Sequence, residues 1–237
     1  NTGTGFADVP NAAPYSGVAT NTLTITGATV TMNGYQYRCV VGSCGGDINS
    51  NAATLIISIP VSVTTQPASI TVCQGAAASF TAGTTGSVIS FQWQLSTDGG
   101  VTYNNMAGAI TNTFTLATTM LAQNGYRFRV IVTGSCGPVN SNGAVLTVNP
   151  LPVFTLNNLP QTLCLSDQPV LLSASVGGGV WSGTGVSGGT FNPSVAGLGS
   201  KIVTYTVTNS GCSTSVSSSI QVNECSDRHV PLNKFPA

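Results

Sequence analysis

The chain has 237 residues, with six basic and six acidic side chains and no net charge. Charged residues are only 5% of the total, against about 25% in an ordinary soluble domain. That leaves no basic stripe for nucleic acid, no acidic cluster for calcium and no polybasic membrane anchor. No run approaches the roughly 18 apolar residues of a spanning helix. Ser, Thr, Asn, Gly and Val in short alternating runs are expected to form a soluble, β-rich chain.

The organisation is set by an internal repeat. Residues 20–55 (TNTLTITGATVTMNGYQYRCVVGSCGGDINSNAATL) align with residues 111–146 (TNTFTLATTMLAQNGYRFRVIVTGSCGPVNSNGAVL) with one compensated gap. Asn33-Gly34-Tyr35 falls on Asn124-Gly125-Tyr126, an offset of 91 residues, the length of one immunoglobulin-like sandwich. The expected fold is therefore all-β, with tandem immunoglobulin-like β-sandwich domains in an extended array and essentially no helix.

In chain order, residues 1–58 read as the C-terminal part of an incomplete domain. Residues 59–149 read as a complete one, with strands near 77–82, 89–96, 113–117, 126–133 and 143–148. There Phe91, Trp93 and Leu95 form an inward row with Gln92 and Gln94 outward, and Tyr126, Phe128 and Val130 alternate with Arg127 and Arg129. Asn-Gly supplies the turn into the strand in both copies. Residues 150–224 read as a divergent third domain, with strands near 168–174, 179–182, 201–208 and 214–222 and a Gly-rich stretch from Gly177 to Gly189. Ile59-Pro60 and Pro150-Leu151-Pro152 are short, stiff linkers, and residues 225–237 are a charged tail. Trp93, Trp181, Tyr126 and Tyr35 are the expected core aromatics.

Seven cysteines without metal-type spacing, and a single histidine, His229, point to disulfides and an oxidising compartment. Cys73 stands just before a strand and Cys136 just after another, and Cys164 and Cys212 repeat the arrangement. The expected pairs are Cys73–Cys136 and Cys164–Cys212. Cys39, Cys44 and Cys225 remain, unpaired or intermolecular. Cys44 aligns with Cys136, so its partner belongs to the missing half-domain, which lies either upstream in a longer chain or on strands donated by another copy.

Catalysis finds little to work with. One His, one Glu and five Asp offer no positioned acid–base set. Asp98-Gly99-Gly100 is a turn without the further carboxylates of a calcium site. Gly185-Val186-Ser187-Gly188-Gly189 matches Gly-x-Ser-x-Gly, but no helix follows it to make a nucleophile elbow. Tyr15 and Tyr103 are exposed aromatics that could stack on a sugar, though two scattered tyrosines do not make a carbohydrate platform. No enzyme activity, cofactor or metal is expected.

The pattern TVCQG…FQWQLSTDGG…TNTFTL…NGYRFRVIVTGSCG…SN…LTV resembles the immunoglobulin-like repeats of large secreted Bacteroidota proteins. WSGTGVSGGTFNPSVAG…VTYTVTNSGC resembles a second repeat type of the same proteins. The two resemblances cover nearly the whole chain. They imply cargo of the type 9 secretion system, with the tail preceding a sorting domain, and a role in surface adhesins, gliding adhesins or filaments. The implied location is extracellular or at the cell surface. The partners so implied are further copies or neighbouring domains, the outer-membrane secretion machinery and surface glycans. The function expected is a stalk or filament subunit, with an adhesin or the spacer of a larger secreted enzyme as alternatives.

Overall fold

The computed structural model describes residues 1–225. The rest of the 225–237 tail, His229 included, lies outside the described residues. The protein is an all-β chain of tandem immunoglobulin-like sandwiches. Its described helical content is the single turn Pro193–Ala196 and two 3-10 turns, Val30–Met32 and Leu121–Gln123. Two compact units divide the chain. One comprises residues 1–69, 79–115 and 126–145, and the other, among the described residues, 70–78, 116–125 and 146–225.

In the first unit the alternating pattern becomes burial. Phe128, Val130 and Val132 are buried along strand Arg127–Gly134, and the residues between them are half-buried. Val88–Ser96 pairs antiparallel with it, Trp93 opposite Val130 and Leu95 opposite Phe128. Asn104–Asn105 adds beyond Gln94 and Leu95, and Gly137–Asn140 returns as a hairpin with Gly134 opposite Gly137. Two further pairs, Ser62–Thr65 with Gly83–Thr85 and Ala78–Thr81 with Thr113–Leu116, form separate small sheets. Trp93 is fully buried, and its indole N–H donates to the Thr111 carbonyl at 2.9 Å, so the one polar atom of the ring keeps a partner. Phe80 and Phe128 stack with centroids 4.7 Å apart, and Phe114 lies 5.5 Å from Phe128.

The expected inward row is only partly observed. Phe91 and Leu95 are half-buried, whereas Gln94, expected to face out, is 8% exposed. The reason is a polar lattice laid over it. Arg129 Nε donates to Gln94 Oε1 at 2.7 Å, and Gln94 Nε2 donates to Asn105 Oδ1 at 2.7 Å. The Arg129 guanidinium lies 4.0 Å from the centre of the Tyr103 ring.

Residues 1–58 keep the framework of their repeat without its core. Gly34 N–H donates to Leu55 O and Gly125 N–H to Leu146 O, both at 2.8 Å. Ile57 N–H donates to Asn33 Oδ1 at 2.8 Å and Val148 N–H to Asn124 Oδ1 at 2.9 Å. The main chain of Cys39 and of Val130 accepts and donates to Ser50 and Ser141 in the same way. Gly34 and Gly125 take φ of +84° and +87°, the left-handed turn that Asn-Gly predicts. Yet Val41 is 58% exposed where its equivalent Val132 is fully buried, because nothing faces it. Tyr35 and Tyr126, expected in the core, are half-buried at its margin.

In the second unit, Ile70–Cys73 runs parallel beside Ala144–Asn149, from Ile70 opposite Leu146 to Cys73 opposite Asn149. The C-terminal part is built on a long hairpin, Gly199–Asn209 with Cys212–Asn223. Thr162–Cys164 lies parallel to the second arm, with Cys164 opposite Asn223, and Val180–Gly183 lies antiparallel to the first. Val203, Ile220 and Val222 pack with Leu172, Phe191 and Ala196. Half-buried Trp181 meets Tyr205 at 4.7 Å. The Gly177–Gly189 stretch holds two strands, Val180–Gly183 and Val186–Ser187. On the outer face of the hairpin, Thr204–Ser217, Thr206–Ser215 and Thr208–Ser213 pair hydroxyl to hydroxyl at 2.8 Å each. Such cross-strand pairs contribute roughly 0.2–1 kcal/mol apiece and keep a nearly uncharged surface polar.

Candidate functional site

The chemistry of the chain lies in its cysteines, and their pairing differs from the expected one. Cys73 bonds Cys212, and Cys164 bonds Cys225, with Cα–Cα distances of 5.6 and 5.3 Å, inside the range a disulfide accepts. Cys39, Cys44 and Cys136 are free and exposed. The expected Cys164–Cys212 pair fails on strand length. Cys164 sits opposite Asn223, while Cys212 begins the same strand eleven residues earlier, about 36 Å away at roughly 3.3 Å per residue. Cys225, two residues past Asn223, is within reach instead.

Cys73–Cys136 fails by strand direction. Cys136 follows the end of Arg127–Gly134, whose start pairs antiparallel with the start of Ala144–Asn149. Cys73 is registered with Asn149, at the other end of that last strand. What does reach Cys73 is the turn of the C-terminal hairpin, Asn209 to Cys212. Asn149 Nδ2 donates to Ser210 O in this turn at 2.9 Å. Thr119 Oγ1 donates to the carbonyls of Cys73 and Ala76 at 3.2 and 2.9 Å, holding the segment around Cys73.

The second arrangement of interest is the neighbourhood of Cys136. Its sulfur lies 3.7 Å from the carbonyl oxygen of Ser58, the residue 91 positions before Asn149. No strand pairs with residues 55–58 among the described residues, and Ile56 is 78% exposed.

The other residues singled out in the sequence are occupied by the fold. Asp98 accepts from Ser96 Oγ at 2.6 Å, from Thr102 Oγ1 and N–H, and from the Val101 N–H. These bonds, the one from Ser96 foremost, hold its carboxyl well below the usual carboxylate range,. It closes a turn, and among the described residues no group of three potential ligands gathers anywhere. Ser187 sits on a hairpin strand opposite Thr190 and lines a shallow cleft with Pro169, Gly185, Val186, Thr190, Asn192 and Val195. None of these can take the serine proton. Tyr15, expected to be exposed, is half-buried and shares a hydroxyl–hydroxyl bond of 3.1 Å with Tyr37. Burial, then that bond, pushes the Tyr37 hydroxyl up to about 12. Tyr103, likewise half-buried, has one ring face under Arg129. Neither ring offers a free platform.

A family described as "Domain of unknown function (DUF8696)" matches residues 62–150. No curated protein matches the chain. Among solved structures, the chain is similar to the titin domains z1z2 in complex with telethonin, at 18% identity over 69% of this chain and 96% of that one, TM-score 0.33. It is also similar to the complex of Dpr2 Ig1-Ig2 with DIP-Theta Ig1-Ig3 (14% identity, 86% and 77% covered, TM-score 0.42). A third is the N-terminal four Ig domains of Dscam1 isoform 6.9 (15%, 90% and 61%, TM-score 0.37). The fold itself rests on the strand pairing described above.

Proposed function

We propose that this chain is a non-enzymatic structural segment of a secreted surface protein, a stalk or filament element built from immunoglobulin-like repeats. The observation that carries the reading is the Cys73–Cys212 disulfide. It ties the segment that matches the family profile to the module that follows it in sequence, a use of cysteine suited to holding repeats in series and to an oxidising compartment. The uncharged hydroxyl-faced strands fit a protein that works among copies or neighbouring repeats. Export by the type 9 route, and contact with that machinery, follow from the sequence resemblance to secreted Bacteroidota repeats. A glycan-binding role has less support, since Tyr15 and Tyr103 are both covered.

The test is location and release. Antibody raised against residues 62–150 should label intact, unpermeabilised source cells, and mild surface proteolysis should remove the label. Recovery of the chain only from the cytosolic fraction, with its cysteines reduced, would overturn the proposal.

A further inference from the structure

We infer that residues 55–58 and Cys136 together form a covalent strand-addition site. Its occupant is an extended segment of the Ile70–Cys73 type, which lies parallel to residues 55–58 and bonds Cys136 through a terminal cysteine. Three observations converge on it. The hydrogen bonds that fix residues 55–57 reproduce, 91 positions earlier, those that fix residues 146–148, so this segment is the first repeat's copy of the last strand. In the second repeat that strand's edge is taken: Ile70–Cys73 pairs with it and places Cys73 opposite Asn149. Cys73 then bonds Cys212, which stands in the turn of the next hairpin along the chain.

In the first repeat every part of this arrangement is present except the strand. The turn of the next hairpin, Gly134 to Gly137, holds Cys136, and Cys136 is free and exposed. Its sulfur rests 3.7 Å from Ser58 O, at the copy of Asn149, where the terminal cysteine of an added strand would arrive. The edge is open, with Ile56 78% exposed. An edge strand gains main-chain hydrogen bonds from an added strand, with the side-chain pattern setting register.

The occupant is a segment of the same polypeptide ahead of this repeat, because Ile70 precedes its partner Leu146 by 76 residues in the occupied copy. A second copy of this chain does not supply it, since that copy's Ile70–Cys73 is held in its own ladder and disulfide. The bond forms by thiol–disulfide exchange with an oxidised dithiol catalyst. The strand's thiol takes up one catalyst sulfur as a mixed disulfide. The Cys136 thiolate then displaces it, and two electrons and two protons end on the catalyst's two thiols.

Two measurements test the site. A synthetic Thr64–Gly75 peptide, its cysteine carried as the thionitrobenzoate mixed disulfide, is offered to the chain, and peptide mapping reads the acceptor. Capture at Cys136 should run about tenfold faster than with a shuffled peptide of the same composition, because docking raises the local concentration. Proline in place of Val72 in the peptide should abolish the advantage, because it removes a ladder donor, and Cys136→Ser should abolish the capture. Equal rates for all peptides, or preferred capture at Cys39 or Cys44, would overturn the inference. In native material isolated with thiols blocked, Cys136 should be bonded to a peptide from ahead of Asn1. Alkylated Cys136, or Cys136 bonded within this chain or to a second copy, would overturn it equally.

Discussion

Removing the Cys164–Cys225 bond, as Cys164→Ser with Cys225→Ser, should lower the melting temperature of the C-terminal sandwich by roughly 8–32 °C. The bond closes a loop with a sequence separation of 61, and in the chain-entropy treatment its removal gives the unfolded state about 4 kcal/mol. Residual structure in the unfolded chain takes part of this back, leaving about 2–4 kcal/mol. For a domain of this size each kcal/mol moves the midpoint by about 4–8 °C. The Cys73–Cys212 loop is longer, with a separation of 139, but the two loops interlace, so their contributions do not add. Differential scanning calorimetry under non-oxidising, non-reducing conditions reads the shift directly. The control is Cys136→Ser, which touches an exposed free thiol and should leave the midpoint unmoved. If Cys136→Ser lowers the midpoint as much as the double variant, or the double variant does not lower it, the assigned connectivity is wrong.

Trp93→Ala should destabilise its sandwich by about 3–5 kcal/mol, seen as a lower urea midpoint, since the ring is fully buried against Phe80 and Phe114. Tyr205→Phe keeps the packing on Trp181 but strips a hydroxyl that accepts from Gly179 N–H at 2.8 Å and donates to Val176 O at 2.9 Å. A loss of about 1–3 kcal/mol is expected, and an unchanged urea midpoint would show that these bonds do not matter. Asp98 has a depressed carboxyl, so its contribution to the 96–102 turn is present above the unfolded carboxylate value near 4. It is lost only as the pH falls through the lower folded value. Carboxyl NMR should find Asp98 still ionised at pH 3, and half-titration near 4 would refute the bond network. For Tyr37 the sign is opposite. The raised value, about 12, makes its contribution complete below the ordinary tyrosine value near 10 and lost as pH climbs toward 12. Ultraviolet titration should show one tyrosine ionising late, and Tyr15→Phe should bring it earlier.

The strands were legible wherever burial alternates along them. The Phe128, Val130, Val132 row and the fully buried Trp93 follow from the period of two in the residues themselves, and the 91-residue offset carries over to individual hydrogen bonds. The cysteine partners were not legible, because they depend on two short strands, Ile70–Cys73 and Thr162–Cys164, that pair in parallel with segments 76 and 59 residues further on. A strand of three or four residues leaves no periodic signal, and a parallel register has no turn to announce it. Cys73 and Cys164 end these short strands and Cys212 begins a long one, so placing them before and after strands assigned the wrong end of the sheet to each pair. Gln94 escaped for a different reason. Its polar side chain is buried by Arg129 and Asn105, residues on two other strands, and alternation along a single strand cannot report a lid supplied by its neighbours.

The Cys73–Cys212 bond also decides where tension would travel. If the chain is pulled from its two ends, the covalent route crosses from Cys73 to Cys212 and skips the residues between them. Fully drawn out at about 3.5 Å per residue, a separation of 139 would release roughly 480 Å of slack,. The bond withholds nearly all of it. The aromatic stack around Trp93 and the first arm of the C-terminal hairpin, Gly199–Asn209, lie in the bypassed stretch, so an oxidised chain would shield them from a steady load while residues 1–72 still bear it. A reduced one would pay out like a spring.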